Sequence, residues 1–479
     1  MKRKSALKML VLGFDGASPK LINEWVNQLP VLGSFKKQGV LGQTIPPVPA
    51  QTPVAWTTFM TGKNPGNHGI FSFAMRKKAT YERKIIGPEM LKSKTLWQIL
   101  SEAKKKVATI NIPMTDTQEV RGFVIPGFLS RREGIPHPNN VKEKIRRKFK
   151  TDKVRGDLET ETLDRVETDP DLFFEKVNEI TDEMAEISLY LLREEKWDFF
   201  MPVFMGLDRI QHFFWKYIDP THPKHEESKY RKFVKDFYAK VNKITGDFIK
   251  SVDENTIVIL VSDHGFCPVH TEVVVNNYLE EQGFLTIKSE KIDIEKSKAI
   301  SYGYGDIWLN VKGREPKGII SPGEEYETTR NQIIECLKKI TIDGKKPIKD
   351  IRKREELWWG PYLNEAPDLN IIFNIGYQAA RRPEITSKNK LKRYVNDNPR
   401  WSGGHDGTHD PEDVPGILAM FGPGIQGGGK EIRAHLWDLA PTILSLMSIP
   451  IPNDMDGKPI PIKTTKGGKT SKLRNLFGS

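Results

Sequence analysis

Apolar residues along this chain fall into short unbroken blocks separated by longer amphipathic stretches. Met9–Phe14 and Thr256–Val261 (TIVILV) are continuous apolar runs, the pattern of strands buried on both faces. Trp197–Met205, Val107–Ile112 and Gly416–Phe421 also read as strands. Helical spacing covers Leu21–Gln28, Leu32–Lys37, Thr95–Lys106, Leu172–Glu195, Lys229–Lys250 and Leu436–Met447. Val273–Leu285 reads as a helix closed by a Gly turn. Thr52-Pro53 opens a further helix over Val54–Thr61. Thr is a good N-cap, Pro suits the first helical position, and Gly62 and Pro65 end the run. Strands alternating with helices predict an α/β fold around a mostly parallel sheet.

Two stretches break the alternation. Val124–Pro170 is basic, Pro-containing and weakly periodic, and reads as an inserted lid. From 292 to 400 the periodicity fades again around a strand at Asp306–Val311, a helix at Tyr326–Ile340 and a strand at Asp368–Phe373, which reads as a cap. The expected organisation is core over 1–123, lid over 124–170, core over 171–291, cap over 292–400, core over 401–462 and a basic tail over 463–479.

At 479 residues the chain has room for up to three domains of about 150 residues, or one large domain with insertions. With 38% hydrophobic and 28% charged residues it is neither a disordered chain nor a fibrous one. Lys and Arg total 74 against 62 Asp and Glu, a formal charge of +12. A positive field attracts polyanions. The excess sits in runs such as Lys142–Lys148 and in the tail, however, so it reads as solvated surface. Trp358-Trp359-Gly360-Pro361-Tyr362, after Lys353 and Arg354, is where basic and aromatic residues interleave. It reads as a packing patch between cap and core, so a nucleic-acid partner is not indicated. Cys267 and Cys336 cannot build a disulfide framework or a cysteine zinc site, which fits a reducing compartment. The apolar start runs straight into Asp15, unlike a signal peptide, and no run approaches the roughly 18 residues of a membrane span. A cytoplasmic protein without a span is the expectation.

The chemistry gathers at strand ends. The first strand ends in Gly13-Phe14-Asp15-Gly16, another leads to Gly206-Leu207-Asp208 with His212 one helical turn on, and TIVILV ends in Ser262-Asp263-His264-Gly265. Open α/β sheets bind ligands outside the carboxyl ends of their strands, so these residues can share one rim. Asp and His without thiolate suit Zn²⁺ or Mn²⁺. His405 and His409 lie in the Gly-rich loop GGHDGTHD. Thr52 is the candidate nucleophile. It sits where a helix start favours an anion, and its hydroxyl would need a metal or base to become reactive.

The ordered motifs make a specific pattern. Gly13–Gly16, Thr52, the stretch Thr61-Gly62-Lys63-Asn64-Pro65-Gly66-Asn67-His68-Gly69-Ile70, Asp208 with His212, Ser262–Gly265 and Gly407-Thr408-His409 follow one another. Together they resemble the alkaline phosphatase superfamily, in its type I phosphodiesterase/nucleotide pyrophosphatase branch. The resemblance implies an alkaline-phosphatase-like three-layer α/β/α core with inserted cap segments. It also implies a site for two divalent metal ions, zinc favoured and manganese the alternative. Asp15, Thr52, Asp263 and His264 would hold one ion; Asp208, His212 and His409 would hold the other. His405 offers the same donor, but Gly407-Thr408-His409 fits the family pattern better.

Two such ions about 4 Å apart clamp the attacking and leaving oxygens of an in-line displacement. Thr52 would form a phospho-threonine intermediate on a small phosphoester substrate. The branch also has an Asn phosphate contact at a position occupied here by Phe73. His68, Arg76 and Arg209 are candidates for substrate contact, the two arginines as replacement donors. Diester hydrolysis is the first reading, a phosphomonoesterase or phosphomutase the alternative. A catalytically weak polyanion-binding protein is the rival of another class. A sulfatase would need a different sequence after Thr52 than Pro53-Val54-Ala55-Trp56.

Overall fold

The computed structural model describes residues 7–289, 291–380, 394–406, 408–425 and 431–462. The basic tail over 463–479 and part of the expected cap, 381–393, lie outside the described residues.

An eight-stranded sheet forms the centre. In chain order its strands are β1 (Lys8–Phe14), β2 (Val40–Ile45), β3 (Val107–Ile112), β4 (Gly122–Pro126), β5 (Phe199–Phe204), β6 (Thr256–Val261), β7 (Gly416–Phe421) and β8 (Arg433–His435). Across the sheet they run β8-β2-β7-β6-β1-β5-β3-β4. β1 pairs in parallel with β5 and β6, β3 lies parallel to β5 and β4, and β8 lies parallel to β2. β7 is antiparallel to both β2 and β6.

Alternation along β1 sends Leu10, Leu12 and Phe14 into a core on one face, and Met9 and Val11 into a core on the other. That is the signature of a sheet covered by helices on both sides, a three-layer α/β/α sandwich. Helix α1 (Thr52–Thr61) packs close to β1 because Gly13 has no side chain. A Cβ there would stand 2.7 Å from Val203 and 2.9 Å from Trp56.

A third apolar cluster sits under the cap segments. Strands Ala299–Ile300, Asp306–Leu309, Leu369–Phe373 and Ile348–Lys353 form a small antiparallel sheet there, backed by helix Glu324–Leu337.

Several elements differ from the sequence expectation. Gly122–Pro126 is an edge strand of the main sheet, so the boundary drawn at 123/124 cuts through it. The lid stretch also carries helices Asn139–Phe149 and Thr160–Asp164. Val273–Leu285 is not one helix: a strand, Cys267–Val273, ends at Val273 and a short helix covers Val275–Glu281. Leu436–Met447 divides into a 3-10 turn and the helix Leu439–Leu446. Strand Cys267–Val273 pairs with Gly403–Gly404, which ties the Gly-rich loop to the segment following β6.

Candidate active site

Each acidic group reaches the rim by a local rule. Asp15 closes β1, and its N–H donates to the Phe204 carbonyl at the end of neighbouring β5. Asp208 lies in the first turn of helix α2 (Gly206–Ile218), where the positive helix end favours a carboxylate. His212 follows at i+4 on the same face. Asp263 and His264 follow β6 directly. Thr52 is the first residue of α1, with Gln51 as N-cap, so the expected N-cap role passes one residue back.

These side chains meet in two adjoining clusters. Asp15, Asp263 and His264 form one; Asp208, His264 and His405 form the other. His264 Nε2 lies 3.1 Å from Asp263 Oδ2, 3.6 Å from Asp15 Oδ1 and 3.4 Å from Thr52 Oγ1. Asp208 Oδ1 lies 3.3 Å from His212 Nε2 and 3.2 Å from His405 Nε2. All of these residues are buried.

The imidazoles are set as metal ligands are set. His264, His212 and His405 each point Nδ1 at a backbone carbonyl: Gly265 at 3.1 Å, Gly403 at 3.0 Å and Ala50 at 2.7 Å. A carbonyl only accepts, so Nδ1 carries the proton and Nε2 is turned toward the cluster. Asp15 Oδ2 accepts from Trp56 Nε1 at 2.8 Å and Asp263 Oδ1 from the Gly16 amide at 3.2 Å. Asp15 Oδ1 and Asp263 Oδ2 are buried with no hydrogen-bond partner among the described residues. Buried carboxylate oxygens without a donor fit a bound cation.

The electrostatics point the same way. Burial, then the charges of Asp263 and Asp208, push the Asp15 carboxyl well above the ordinary range. Burial pushes Asp263 up to about 8. Burial also acts to raise Asp208, but His212, His405 and Arg209 hold it well below the usual value. Burial lowers His264 and His212 to about 4. His405 is raised to about 9: burial opposes protonation, and the hydrogen bond to Asp208 and the Asp406 charge outweigh it. A divalent cation is the natural counter-charge for such carboxylates.

Other candidates stand elsewhere. His409 Nε2 lies 3.0 Å from the Tyr377 carbonyl, and His409 belongs to neither cluster; the ring beside Asp208 and His212 is that of His405. His68 is locked at both nitrogens, Nε2 at 3.1 Å from Thr58 Oγ1 and Nδ1 accepting from the Ile70 amide at 3.2 Å. Burial drops its pKa to about 3, so it is a neutral brace between α1 and the following turn. Arg76 pairs with Glu315 at 2.5 Å and lies over the Trp308 ring, docking a core hairpin onto the cap. Arg209 alone of the proposed substrate contacts borders a cluster: its Nη1 donates to Asp208 Oδ2 at 2.9 Å. The Phe73 ring stacks on Tyr304 and meets Phe128 edge-on, while its amide donates to Gln51 Oε1 at 2.9 Å.

Two residues around the site were not singled out from sequence. Trp56 could have been found, because it lies one helical turn after Thr52. Asp157, in an aperiodic loop, carried no such signal.

The model of the type I phosphodiesterase / nucleotide pyrophosphatase family matches residues 9–409. The chain belongs to this family of phosphoric ester hydrolases, a branch of the alkaline phosphatase superfamily. A protein named alkaline phosphatase PafA from Elizabethkingia meningoseptica is 22% identical over 249 residues, which is 47% of this chain and 41% of that protein. One named calcium-transporting ATPase from Myroides odoratus is 23% identical over 241 residues, with the same coverage. The matches thus span about two fifths of the length of these curated relatives.

Among solved structures, human ectonucleotide pyrophosphatase / phosphodiesterase 5 aligns with 94% of this chain and 97% of its own, with a TM-score of 0.57 and 14% identity. The murine counterpart, solved as an inactive variant in complex with AMP, aligns equally well at TM-score 0.57 and 14% identity, covering 93% of this chain and 96% of its own. The fold is therefore of the ectonucleotide pyrophosphatase type. No helix among the described residues is long and apolar enough to cross a membrane.

Proposed function

We propose that this chain is a metal-dependent phosphoester hydrolase, acting first on diesters, with Thr52 as nucleophile. The observation that carries the reading is the position of Thr52 Oγ1, 3.4 Å from His264 Nε2, at the first residue of α1 and beside both carboxylate–imidazole clusters. Asp15, Asp263, His264 and Thr52 would hold one divalent ion; Asp208, His212 and His405 would hold the other, with His405 in the role first given to His409. Zn²⁺ is favoured over Mn²⁺ for this Asp/His set. Bound ions supply Lewis-acid charge that lowers the Thr52 hydroxyl pKa and stabilises the leaving oxygen.

The chain's own residues do the rest. First-turn amides of α1 face the incoming phosphoryl group, because a helix start has N–H groups without intrahelical acceptors. Thr52 Oγ1 forms a bond to phosphorus as the ester P–O bond breaks and the alcohol leaves. Water then cleaves phospho-Thr52 and frees inorganic phosphate or a monoester. The AMP complex of the murine relative supports a nucleotide-derived ester as the first substrate to screen.

Hydrolysis of a bis-nitrophenyl phosphate and the matching monoester tests this, using protein stripped of metal and reloaded with Zn²⁺ or Mn²⁺. Metal-dependent diester cleavage, lost in Asp263→Ala, is expected. Equal turnover with and without metal would overturn the reading, and a strong monoester preference would move it to the phosphatase alternative.

A further inference from the structure

An acidic group from the 124–170 stretch reaches the edge of the site through Arg209, and neither bond-making step at phosphorus uses it. Asp157 follows Gly156, and Gly156 is pinned to the core. The buried Asn111 side chain, at the end of β3, donates to the Gly156 carbonyl at 3.0 Å and to the Val203 carbonyl of β5 at 2.9 Å. No side chain would fit at Gly156, where a Cβ would stand 2.0 Å from Asn111 Oδ1. Asp157 is thereby fixed relative to β3 and β5.

Its carboxylate grips Arg209 from one edge. Arg209 Nε donates to Asp157 Oδ1 at 2.9 Å, and Arg209 Nη2 donates to Oδ2. Arg209 Nη1 donates to Asp208 Oδ2 at 2.9 Å. The Phe128 ring lies under the guanidinium, 5.4 Å from its carbon. Both charged side chains are largely buried, at 14% and 7% exposure. An arginine has five N–H donors in a rigid fork. Asp157 and Asp208 take three of them, leaving one on each terminal nitrogen. The N–H groups left on Nη1 and Nη2 are each able to donate to an oxygen of a phosphoryl group.

The bidentate grip fixes the plane of the guanidinium, while Asp208 keeps Oδ1 toward His212 and His405. Without Asp157, Arg209 would keep its single contact to Asp208 Oδ2 and lose its fixed orientation.

We propose that Asp157 is a positioning residue for phosphoryl binding: it holds Arg209 so that the two remaining N–H groups receive phosphoryl oxygens of the ester. This rests on the phosphoester reading of the site. It gives the 124–170 stretch a part in substrate recognition that its composition does not reveal.

The test is titration of the metal-loaded full chain with inorganic phosphate, for wild type, Asp157→Ala, Asp157→Asn, Arg209→Ala and the Asp157→Ala/Arg209→Ala double variant. Metal content and melting temperature are followed alongside. Asp157→Ala is expected to weaken phosphate binding by about 10- to 100-fold, the scale of a lost charge-assisted contact. The double variant should bind no more weakly than Arg209→Ala alone, and metal content should stay at the wild-type level. A merely structural Asp157 would instead lower the melting temperature and still weaken binding in the Arg209→Ala background. That additive result, or unchanged phosphate affinity in Asp157→Ala, overturns the proposal. Asp157→Asn keeps the shape and carries the same comparison if the alanine variant does not fold. Wild-type protein that binds metal but no phosphate would remove the phosphoester reading, and this proposal with it. Wild-type binding with indifferent variants would remove this proposal alone.

Discussion

The imidazoles of His264 and His405 stack face to face, with ring centroids 3.4 Å apart and planes 12° from parallel. His264 adjoins Asp15 and Asp263, while His405 adjoins Asp208 and His212. The stack is the seam along which the two clusters become one site.

His405 and His409 should therefore separate on mutation. Removing an outer-shell partner of a metal ligand already costs 10- to 100-fold. Loss of a ligand should cost at least about 100-fold in diester turnover, so His405→Ala should fall that far and lose one equivalent of metal. His409→Ala should keep wild-type metal content, because His409 lies in neither group of converging ligand atoms. Metal analysis of the purified variants checks both.

Metal and pH should act on stability together. Asp263, raised to about 8 by burial, favours the fold while protonated. That contribution is complete below an ordinary carboxyl pKa near 4 and is lost as pH rises through 8. His405, raised to about 9 despite burial, stabilises below about 6.5 and loses that contribution as pH rises through 9. His264 and His212, lowered to about 4, add no slope above about 6.5. Between about pH 6.5 and 9 the metal-free protein should therefore melt at progressively lower temperature. Bound cations replace the missing protons, so the gap between metal-loaded and chelated protein should widen over the same range. Thermal melts with and without chelator measure it. A gap that narrows with pH would contradict the assignment of these groups as ligands.

The aromatic patch of the cap should behave as core. Trp358 is buried, donates from Nε1 to the Val48 carbonyl at 2.9 Å and meets Phe71 edge-on. Trp358→Ala should cost about 3–5 kcal/mol of stability. Trp359 is 49% exposed, and Trp359→Ala should cost under about 1 kcal/mol. Chemical denaturation of the two variants compares them.

Arg76 should be silent in phosphate binding. Its guanidinium is occupied by Glu315 and the Trp308 face. Arg76→Ala should lower stability by about 1–3 kcal/mol, since Glu315 loses a buried partner, and leave phosphate affinity within about twofold of wild type.

Much of the core could be read from the chain because its strands are buried on both faces. Thr256–Val261 and Val107–Ile112 are rich in β-branched apolar residues and form fully buried strands over those same residues. Lys229–Lys250 was equally legible, because Ser228 caps its start and a long apolar stripe fixes its period. Strand direction was not legible. Gly416–Phe421 is as apolar as the parallel strands of the sheet yet runs antiparallel to both of its neighbours, since a doubly buried run carries no mark of polarity. At the site, Asp15, Asp208, Asp263 and His264 stood out as strand ends.

The loop histidines could not be ranked from sequence. Which of His405 and His409 faces Asp208 depends on how Gly403–Gly404 pairs with Cys267–Val273. His68 lies within the motif and Arg76 three residues beyond Phe73, and sequence does not show that Thr58 and Glu315 are their tertiary partners.

The most direct test of the central claim is to quench the metal-loaded enzyme with acid during turnover of a phosphodiester and map phosphorylated peptides by mass spectrometry. The expected result is Thr52 carrying the substrate's phosphoryl group with its retained alcohol still esterified, no adduct in Thr52→Ala with turnover reduced at least about 10³-fold, and partial function in Thr52→Ser. Undiminished turnover in Thr52→Ala would contradict it.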